Sequence, residues 1–393
     1  MRDKLKDLLW FYPNNIVLST QTLYESIFAL MTVYKITDKI AYLNEALLLA
    51  QKLAKLQNKN GGFDIGFNFL FGKGKMKPKN NSPTSPETLS IYALHLVQSE
   101  FKKNYFDNNI KKCAAWIQDN WVGENEKSIS YCPDLFKENH ICNANSFSSL
   151  AMASYDFLNK SSLSEKLSMT CYKSMSNCEK SNSKFFYYFN TSSHLNNDER
   201  QLDKIDYSHL AQQGWCHMRI YLLNKNKIDL VIAQHIFDYL IFQLETKGVL
   251  NYCADTTHSP RHLPLWGCFS IIIFLVEWYM YTNDDRCFKY IGKYASFILD
   301  YGMSENHDLF ACIDKTGIAI DKSRFIRSES WGCHAFAKLY QATRDEIYLS
   351  LFEETYSRLK NDNFSGREPN RWNLRKYYSI KFRDFIFMKK SNI

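Results

Sequence analysis

The 393-residue sequence lacks several patterns that would each define a class of protein. It contains 11 cysteines but no C-x-x-C pair, so reduced, unlinked thiols are the expectation. Its longest apolar run, residues 268–276, is too short to span a bilayer. No run of five lysines and arginines occurs, and 49 basic residues are scattered among 41 acidic ones. Nucleic-acid binding therefore gains little support, although the net charge of +8 favours an anionic partner in a general way.

The two ends of the sequence bear on where the protein works. Residues 1–7 read as a charged amphipathic helix rather than the apolar core of a secretory signal. We therefore expect a cytoplasmic protein with no transmembrane segment. The basic residues are densest in a C-terminal tail, residues 361–393, which allows peripheral contact with an anionic membrane.

Aromatic residues are abundant, at 16% of the chain. Their ring faces suit stacking on sugars or bases, but an AT-rich genome produces the same enrichment in Phe and Tyr through its codons. The hydrophobic content of 45% and charged content of 23% are those of an ordinary globular protein with a sizeable core.

Apolar residues at helical spacing recur in pairs of segments along the chain. The first segments of the six pairs end at comparable positions, which are Tyr34, Leu96, Tyr155, Tyr221, Tyr279 and Tyr340. Successive positions lie 58 to 66 residues apart. Self-similarity at such a period predicts stacked helical hairpins. We place the six repeats near residues 16–60, 82–122, 140–180, 204–247, 261–301 and 325–360, within one domain that covers residues 1–393.

Six hairpins form either an open solenoid or a closed ring, and two features favour the ring. The first helix of each pair is apolar almost all round, as a buried helix is, above all in residues 266–278. Neither terminal repeat has the polar outer face of a cap, which an open array requires. The sequence therefore predicts an all-α fold, an (α/α)6 toroid whose six inner helices begin around one mouth.

Carboxylates near the predicted mouth are candidates for acid and base roles. Glycosidic cleavage needs two carboxyl groups across a shared cavity, and Glu87, Asp206 and Glu329 are predicted as catalytic residues, with Asp64 lining the sugar site. Each has a structural alternative. Glu87 follows Ser-Pro at a helix start, Asp206 suits an N-cap, and Glu329 lies inside an inner helix, where an unused buried charge is costly.

A second set of candidates fits proton transfer on a uronic acid, which needs a base, an acid and a group that neutralises the carboxylate. Tyr207 and His209 are predicted to transfer protons, with His262 nearby. Arg261 and Arg327 both precede or open inner helices and are predicted to hold the sugar carboxylate. The alternative for His209 is a partly buried, hydrogen-bonded histidine.

The remaining candidates concern sugar contacts and metal. Gln213, Trp215 and Trp331 are predicted to contact the sugar, while packing against a small neighbour is the alternative for both tryptophans and for Trp266. Three cysteines and two histidines raise a zinc hypothesis, namely Cys216, His217, Cys268, Cys333 and His334. Their spacing does not support a zinc site, so no metal and no other cofactor is expected.

Four stretches carry a resemblance to known proteins: residues 61–64 (Gly-Gly-Phe-Asp), 84–89 (Thr-Ser-Pro-Glu-Thr-Leu), 207–215 and 328–332 (Ser-Glu-Ser-Trp-Gly). The chain resembles (α/α)6-toroid carbohydrate-active proteins over residues 16–360, and more narrowly a bacterial polysaccharide-biosynthesis family related to VpsJ. The resemblance implies a carbohydrate or nucleotide-sugar substrate in surface-polysaccharide assembly. It leaves open an epimerase, a lyase, a hydrolase, or a non-catalytic glycan-binding or assembly subunit.

Overall fold

The computed structural model describes residues 17–67, 69–71, 75–77, 82–122, 128–135, 141–176, 207–250 and 262–367. Within these ranges twelve α-helices form six consecutive hairpins. The inner helices are α1 (Thr20–Thr37), α3 (Ser90–Phe101, preceded by the 3-10 turn Ser85–Leu89), α5 (Cys142–Asn159), α7 (Tyr207–Asn224), α9 (Leu265–Thr282) and α11 (Ile326–Thr343). The outer helices are α2 (Ile40–Ala54), α4 (Asp107–Asp119), α6 (Leu163–Ser176), α8 (Lys227–Lys247), α10 (Asp285–Tyr301) and α12 (Glu346–Asn361).

The inner helices form a closed ring. Each one packs against the next along the chain, and α11 packs against α1. Strand β1 (Val17–Leu18) pairs antiparallel with β9 (Ser365–Gly366), which joins the two ends of the ring. The (α/α)6 toroid predicted from the sequence period is therefore confirmed.

Inner and outer helices differ in how much of their surface is buried. Helix α9 buries 14 consecutive residues, 265–278, because it is packed on every side. Helix α10 buries a single stripe at helical spacing and leaves its other face in water. By length and composition alone α9 could also cross a membrane, but 78% of that stretch is buried in the ring, as in the core helix of a globular protein.

Every hairpin turns tightly at the end of its inner helix, and we call this side of the ring the short-turn end. The residues that end the inner helices have φ between 52° and 60° and none is glycine; they are Asp38, Lys102, Lys160, Lys225, Asn283 and Arg344. The sequence Tyr-x-x-Thr recurs at three of these turns, at residues 34–37, 279–282 and 340–343. The hydroxyls of Thr282 and Thr343 accept bonds from the amides of Asp284 and Asp345, whose carboxylates in turn cap the outer helices.

The connections from outer to inner helices are longer and lie at the opposite end, the mouth. They carry the small strands β2 (Phe69–Phe71), β3 (Lys75–Lys77), β4 (Trp121–Val122), β5 (Ser128–Ile129), β6 (His262–Pro264), β7 (Cys312–Asp314) and β8 (Ala319–Asp321). The strands pair as two hairpins, β2–β3 and β4–β5, and one sheet of order β6–β7–β8. The mouth is thus where the chain has room for functional loops.

Candidate functional site at the mouth

Trp266 is the centre of a cluster contributed by three inner helices at the mouth. The ring of His209, in α7, lies 5.3 Å from the Trp266 ring between centroids. The guanidinium carbon of Arg327, in α11, lies 5.8 Å from the centre of the same ring and 5.7 Å from that of Phe67. The ring of Trp331, also in α11, lies 6.4 Å from the Trp266 ring between centroids. An imidazole and a guanidinium are therefore held against one indole, a favourable contact for a cation.

The ring geometry explains why residues so far apart in sequence meet here. Trp266 follows Pro264, whose extended backbone begins α9 where β6 pairs with β7. Arg327 is the second residue of α11 and Trp331 lies one turn later, on the same face. His209 stands in the first turn of α7. Each side chain therefore sits in the first two turns of its helix, and neighbouring helices bring them together.

A second cluster surrounds Glu87, which is fully buried in the 3-10 turn before α3. Its carboxylate accepts a hydrogen bond from Gln21 Nε2 at 2.8 Å and another from the hydroxyl of Thr84. The amide of Thr84 donates to Phe63 O, which fixes the turn against the first hairpin. Glu87 thus keeps the helix-start position predicted for it and also joins α1 to α3.

The phenol of Tyr24 interacts electrostatically with a charged residue of each cluster, Arg327 and Glu87. Burial raises the pKa of its phenol well above the usual value, and the negative charge of Glu87 raises it further, while Arg327 opposes this rise. The phenol therefore stays protonated and can donate a hydrogen bond. Its position among apolar residues of α1 gave no signal of this in the sequence.

Glu329 belongs to a different network from Glu87. Both of its oxygens bind Arg324, at 2.7 and 3.1 Å, and Arg324 also binds Asp362. Arg358 of the outer helix α12 lies 3.8 Å away. Burial raises the pKa of Glu329 and the pairing with Arg324 opposes that rise. This is an ion-pair network between α11 and α12, so we leave Glu329 out of the proposed site; its catalytic role stays a prediction.

Tyr207 is oriented toward the outer ring. Its hydroxyl donates to Gln243 Oε1 at 2.9 Å and accepts from Lys247 Nζ at 3.1 Å, and both partners lie in α8. Only 1% of Tyr207 is exposed. Gln213, six residues further along the same helix, is also fully buried. The predicted roles of Tyr207 and Gln213 stay predictions.

The other predicted site residues fall into two groups. Asp64 accepts bonds from the amides of Gly66 and Ser82, at 2.8 and 3.1 Å, and so holds the connection between the first two hairpins. Its predicted contact with sugar stays a prediction. Asp206, Arg261 and the side chain of His262 lie outside the described residues.

Trp215 lies deeper, on the axis of the ring. Its ring is 5.4 Å from Phe28, 6.1 Å from Tyr92 and 5.9 Å from His334 between centroids. These four aromatic rings form a layer across the ring, which we call the septum. Trp215 is therefore a member of the septum and 5% exposed, and its predicted contact with sugar stays a prediction.

A buried pair, Glu25 and His334, lies at the septum. Glu25 Oε2 and His334 Nδ1 are 2.7 Å apart. Burial raises the pKa of Glu25 and lowers that of His334, which the nearby charge of Lys338 lowers further. The pair is thus a protonated carboxyl donating to a neutral imidazole. Sequence reasoning missed it, since its two members are brought together only by closure of the ring.

The described mouth combines groups for one kind of chemistry. The imidazole of His209 is a general-base candidate, the guanidinium of Arg327 suits an anion, and the tryptophan faces suit the apolar face of a sugar ring. Proton removal next to a carbonyl or carboxylate uses such a set.

No protein-family model matches the sequence, and no curated protein matches it. Solved structures do resemble it. The cellobiose 2-epimerase of Bacillus thermoamylovorans has a TM-score of 0.59 over 85% of this chain and 89% of its own, at 12% identity. A D-mannose isomerase has a TM-score of 0.60 over 84% and 88%, at 14% identity. An α-mannanase of glycoside hydrolase family 76 from Bacteroides thetaiotaomicron has a TM-score of 0.52 over 66% and 72%, at 17% identity. These likenesses show that the chain has the fold of those enzymes, the (α/α)6 toroid.

Proposed function

We propose that this chain is a carbohydrate-active enzyme that moves protons on a sugar bound at the mouth, as an epimerase or isomerase. The observation that carries the proposal is the arrangement around Trp266, where His209 and Arg327 both lie within 6 Å of one indole ring. A base and an anion holder are thereby set beside the same indole ring, and proton abstraction next to a carbonyl or carboxylate needs both groups at one site.

In the proposed reaction His209 takes the proton from the carbon next to the carbonyl or carboxylate group. The electron pair of that C–H bond moves onto the oxygen, and Arg327 stabilises the resulting enolate. Return of a proton to the opposite face of the carbon inverts it, and return to the neighbouring carbon isomerises the sugar. Protonated His209 returns the proton for isomerisation, in which a proton also moves from the neighbouring hydroxyl to the enolate oxygen, and inversion needs a second proton donor on the opposite face.

The fold neighbours are consistent with this reaction, since two of them are a cellobiose 2-epimerase and a D-mannose isomerase. Hydrolysis, the activity of the α-mannanase, has less support. It needs two carboxyl groups facing one cavity. Of the carboxylates predicted for that role, Glu87 lies near the mouth, Glu329 is bound to Arg324, and Asp206 is outside the described residues. A lyase shares the first proton abstraction and differs in the bond broken next.

We propose further that the sugar belongs to a bacterial surface polysaccharide or to a nucleotide-sugar precursor of one, handled in the cytoplasm. The support is the resemblance carried by residues 84–89 and 207–215, together with the net charge of +8, which suits an anionic sugar.

Proton exchange tests the function directly. The protein is incubated in D2O with a panel of mannose, cellobiose, glucuronate and UDP-glucuronate, and deuterium at carbon is followed by NMR. We expect deuterium next to the carbonyl or carboxylate of one panel member. His209→Gln and Arg327→Gln are expected to reduce the exchange rate by at least about 100-fold, as loss of a general base or an anion holder does.

Matched controls separate chemistry from folding. His235→Gln, on the outer helix α8, and Arg344→Gln, at the short-turn end, remove the same residue types at exposed positions and are expected to exchange at the wild-type rate. Binding of a sugar without exchange identifies a glycan-binding subunit and overturns the enzyme proposal. Sugar release that persists in His209→Gln but is lost in Glu87→Gln identifies a hydrolase instead.

A further inference from the structure

A second cavity opens on the ring at the short-turn end, opposite the mouth. Its volume is about 370 Å³, and all six inner helices contribute to its lining. Rim residues such as Lys35, Ser99 and Phe157 are exposed, so the cavity is reached from solvent on that side. Sites for small ligands typically have volumes of roughly 300 to 1,000 Å³, which makes this cavity large enough for a monosaccharide.

The septum forms the floor of this cavity. Phe28, Tyr92, Trp215 and His334 all line it, and their rings contact one another across the axis. Apolar and aromatic faces are therefore presented to whatever enters. The cavity and the Trp266 cluster lie toward opposite ends of the ring, and none of His209, Trp266 or Arg327 lines the cavity.

One wall of the cavity carries a buried charge cluster. Glu277 accepts a hydrogen bond from Arg219 on one oxygen and from Lys338 on the other, each at 2.7 Å. Burial by itself raises the pKa of Glu277, but the two cations hold it well below its usual range. Arg219 also donates to Tyr92 Oη at 2.6 Å. The three charges are thus fixed in place by bonds to one another and to the septum.

The cluster leaves one positive charge without a counter-ion in the cavity. Its charged lining residues are three cations, Lys35, Arg219 and Lys338, and two carboxylates, Glu100 and Glu277. Lys35 pairs with Glu100 at the rim, so the excess lies on the wall. Burial lowers the pKa of Lys338, and the charge of Arg219 lowers it further, while Glu277 opposes both. A buried excess charge of this kind is costly unless an anion balances it.

His95 does not supply another charge. It is 2% exposed and lies edge-on to Phe157, 5.3 Å between centroids. Burial lowers its pKa to about 4, so the ring is neutral near pH 7. An anionic group entering the cavity is therefore attracted to Arg219 and Lys338. Arg219 is 25% exposed in its side chain and, among the described residues, its Nη2 atom has no hydrogen-bond partner.

We propose that this cavity is a second ligand site, for a monosaccharide-sized molecule that bears one carboxylate or phosphate group. The anionic group binds Arg219 and Lys338, and the ring of the ligand packs on Tyr92 and Trp215. The site is independent of the proposed reaction at the mouth, because it uses none of the residues assigned to that reaction.

Calorimetric titration at constant ionic strength tests the site with three probes: glucuronate, glucose 6-phosphate and glucose. At least one acidic probe is expected to bind about tenfold or more tightly than glucose, since the charge-assisted bonds are absent in the neutral sugar. Glucuronate alone binding indicates a carboxylate site, and glucose 6-phosphate alone a phosphate site. Failure of both acidic probes to bind at millimolar concentrations overturns the proposal.

Variants at the rim locate the binding without disturbing the buried cluster. Ser99→Trp fills the cavity from an exposed position, and we expect the affinity for the acidic probe to fall about tenfold or more by steric exclusion. Lys103→Trp, exposed near the end of the same helix but outside the lining, is the matched control and is expected to bind normally. An affinity unchanged in Ser99→Trp, or lost in the mouth variant Arg327→Gln, places the anion elsewhere and overturns the proposal.

Discussion

Two buried histidine–carboxylate pairs in this ring have the same geometry and different charge. His217 Nδ1 lies 2.7 Å from Asp229 Oδ1, between α7 and the outer helix α8. His334 Nδ1 lies 2.7 Å from Glu25 Oε2, between α11 and α1 on the axis. The pKa of His217 is raised to about 9, whereas that of His334 is lowered and that of Glu25 is raised.

The surroundings of each histidine account for the difference. Burial lowers the pKa of His217, but its hydrogen bonds to Asp229 and Cys171 more than offset that. Its Nε2 atom also lies 3.0 Å from Ser146 Oγ, so an imidazolium finds acceptors on both nitrogens. The first pair is therefore ionic and links three helices.

The pair on the axis has cations for neighbours instead. Burial is the largest influence on His334, and the charge of Lys338 disfavours a second positive charge beside it. The pair therefore holds its proton on Glu25, as a neutral hydrogen bond. The distance of 2.7 Å is the same in both pairs and so does not decide whether a pair is ionic. The hydrogen-bond acceptors and cations around the pair decide its charge.

Asp229→Asn is expected to have the largest effect on stability, because it makes the ionic pair neutral like the pair on the axis. The substitution removes the charge that keeps His217 protonated but preserves the shape of the side chain. Since the pKa rises from 6.5 to about 9 on folding, we expect the free energy of unfolding at pH 6 to fall by about 3 kcal/mol. Urea denaturation of variant and wild type measures it. A loss below about 1 kcal/mol would contradict an ionic pair.

The pH dependence of stability is the next largest effect. A pKa that is raised on folding stabilises the protein below the unfolded value of 6.5, and this contribution is lost as the pH rises through about 9. The wild type is therefore expected to lose about 2 kcal/mol more than Asp229→Asn between pH 7 and 9. Parallel urea titrations at both pH values give the difference. Equal losses in the two proteins would mean that His217 does not carry the charge.

Glu25→Gln is the equivalent carboxylate-to-amide substitution in the neutral pair and tests whether that pair carries a charge. A glutamine amide donates a hydrogen bond to His334 just as the protonated carboxyl does, so no charge is lost. We expect a change in the free energy of unfolding of less than about 1 kcal/mol at pH 7. The Asp229→Asn protein, measured beside it, is the internal reference. A destabilisation as large in Glu25→Gln as in Asp229→Asn would show that Glu25 is ionised.

The fold was accessible from the sequence because its signals are local and repeated. The recurrence from Tyr34 to Tyr340 predicts the six hairpins, and the all-round apolar character of residues 265–278 predicts an inner helix. A closed ring places the start of every inner helix at one mouth, so the sequence alone predicts His209 and Arg327 as site residues. Their catalytic roles stay predictions.

The side chains that sequence reasoning missed depend on contacts made only by closure. Glu25 and His334 are 309 positions apart, and each looks like an isolated polar residue inside an apolar helix. Glu329 has a partner that the sequence does not signal. Arg324, five residues earlier, binds both its oxygens, and a spacing of five residues gives no pairing signal on a helix.

The smallest predicted effect is a change in the pKa of His334 in the variant Lys338→Met, which tests what keeps the Glu25–His334 pair neutral. Lys338→Met removes the neighbouring cation while Arg219 still pairs with Glu277. The pKa of His334 is expected to rise, because burial remains but the main positive charge acting on it is gone. Nitrogen-15 NMR of the histidine rings from pH 4 to 8 reports the shift, with His95 as a reference: its pKa of about 4 owes nothing to Lys338. If the titration of His334 does not move while the fold is retained, burial alone keeps it neutral, and the cations at the short-turn end have no part in setting the charge of the pair.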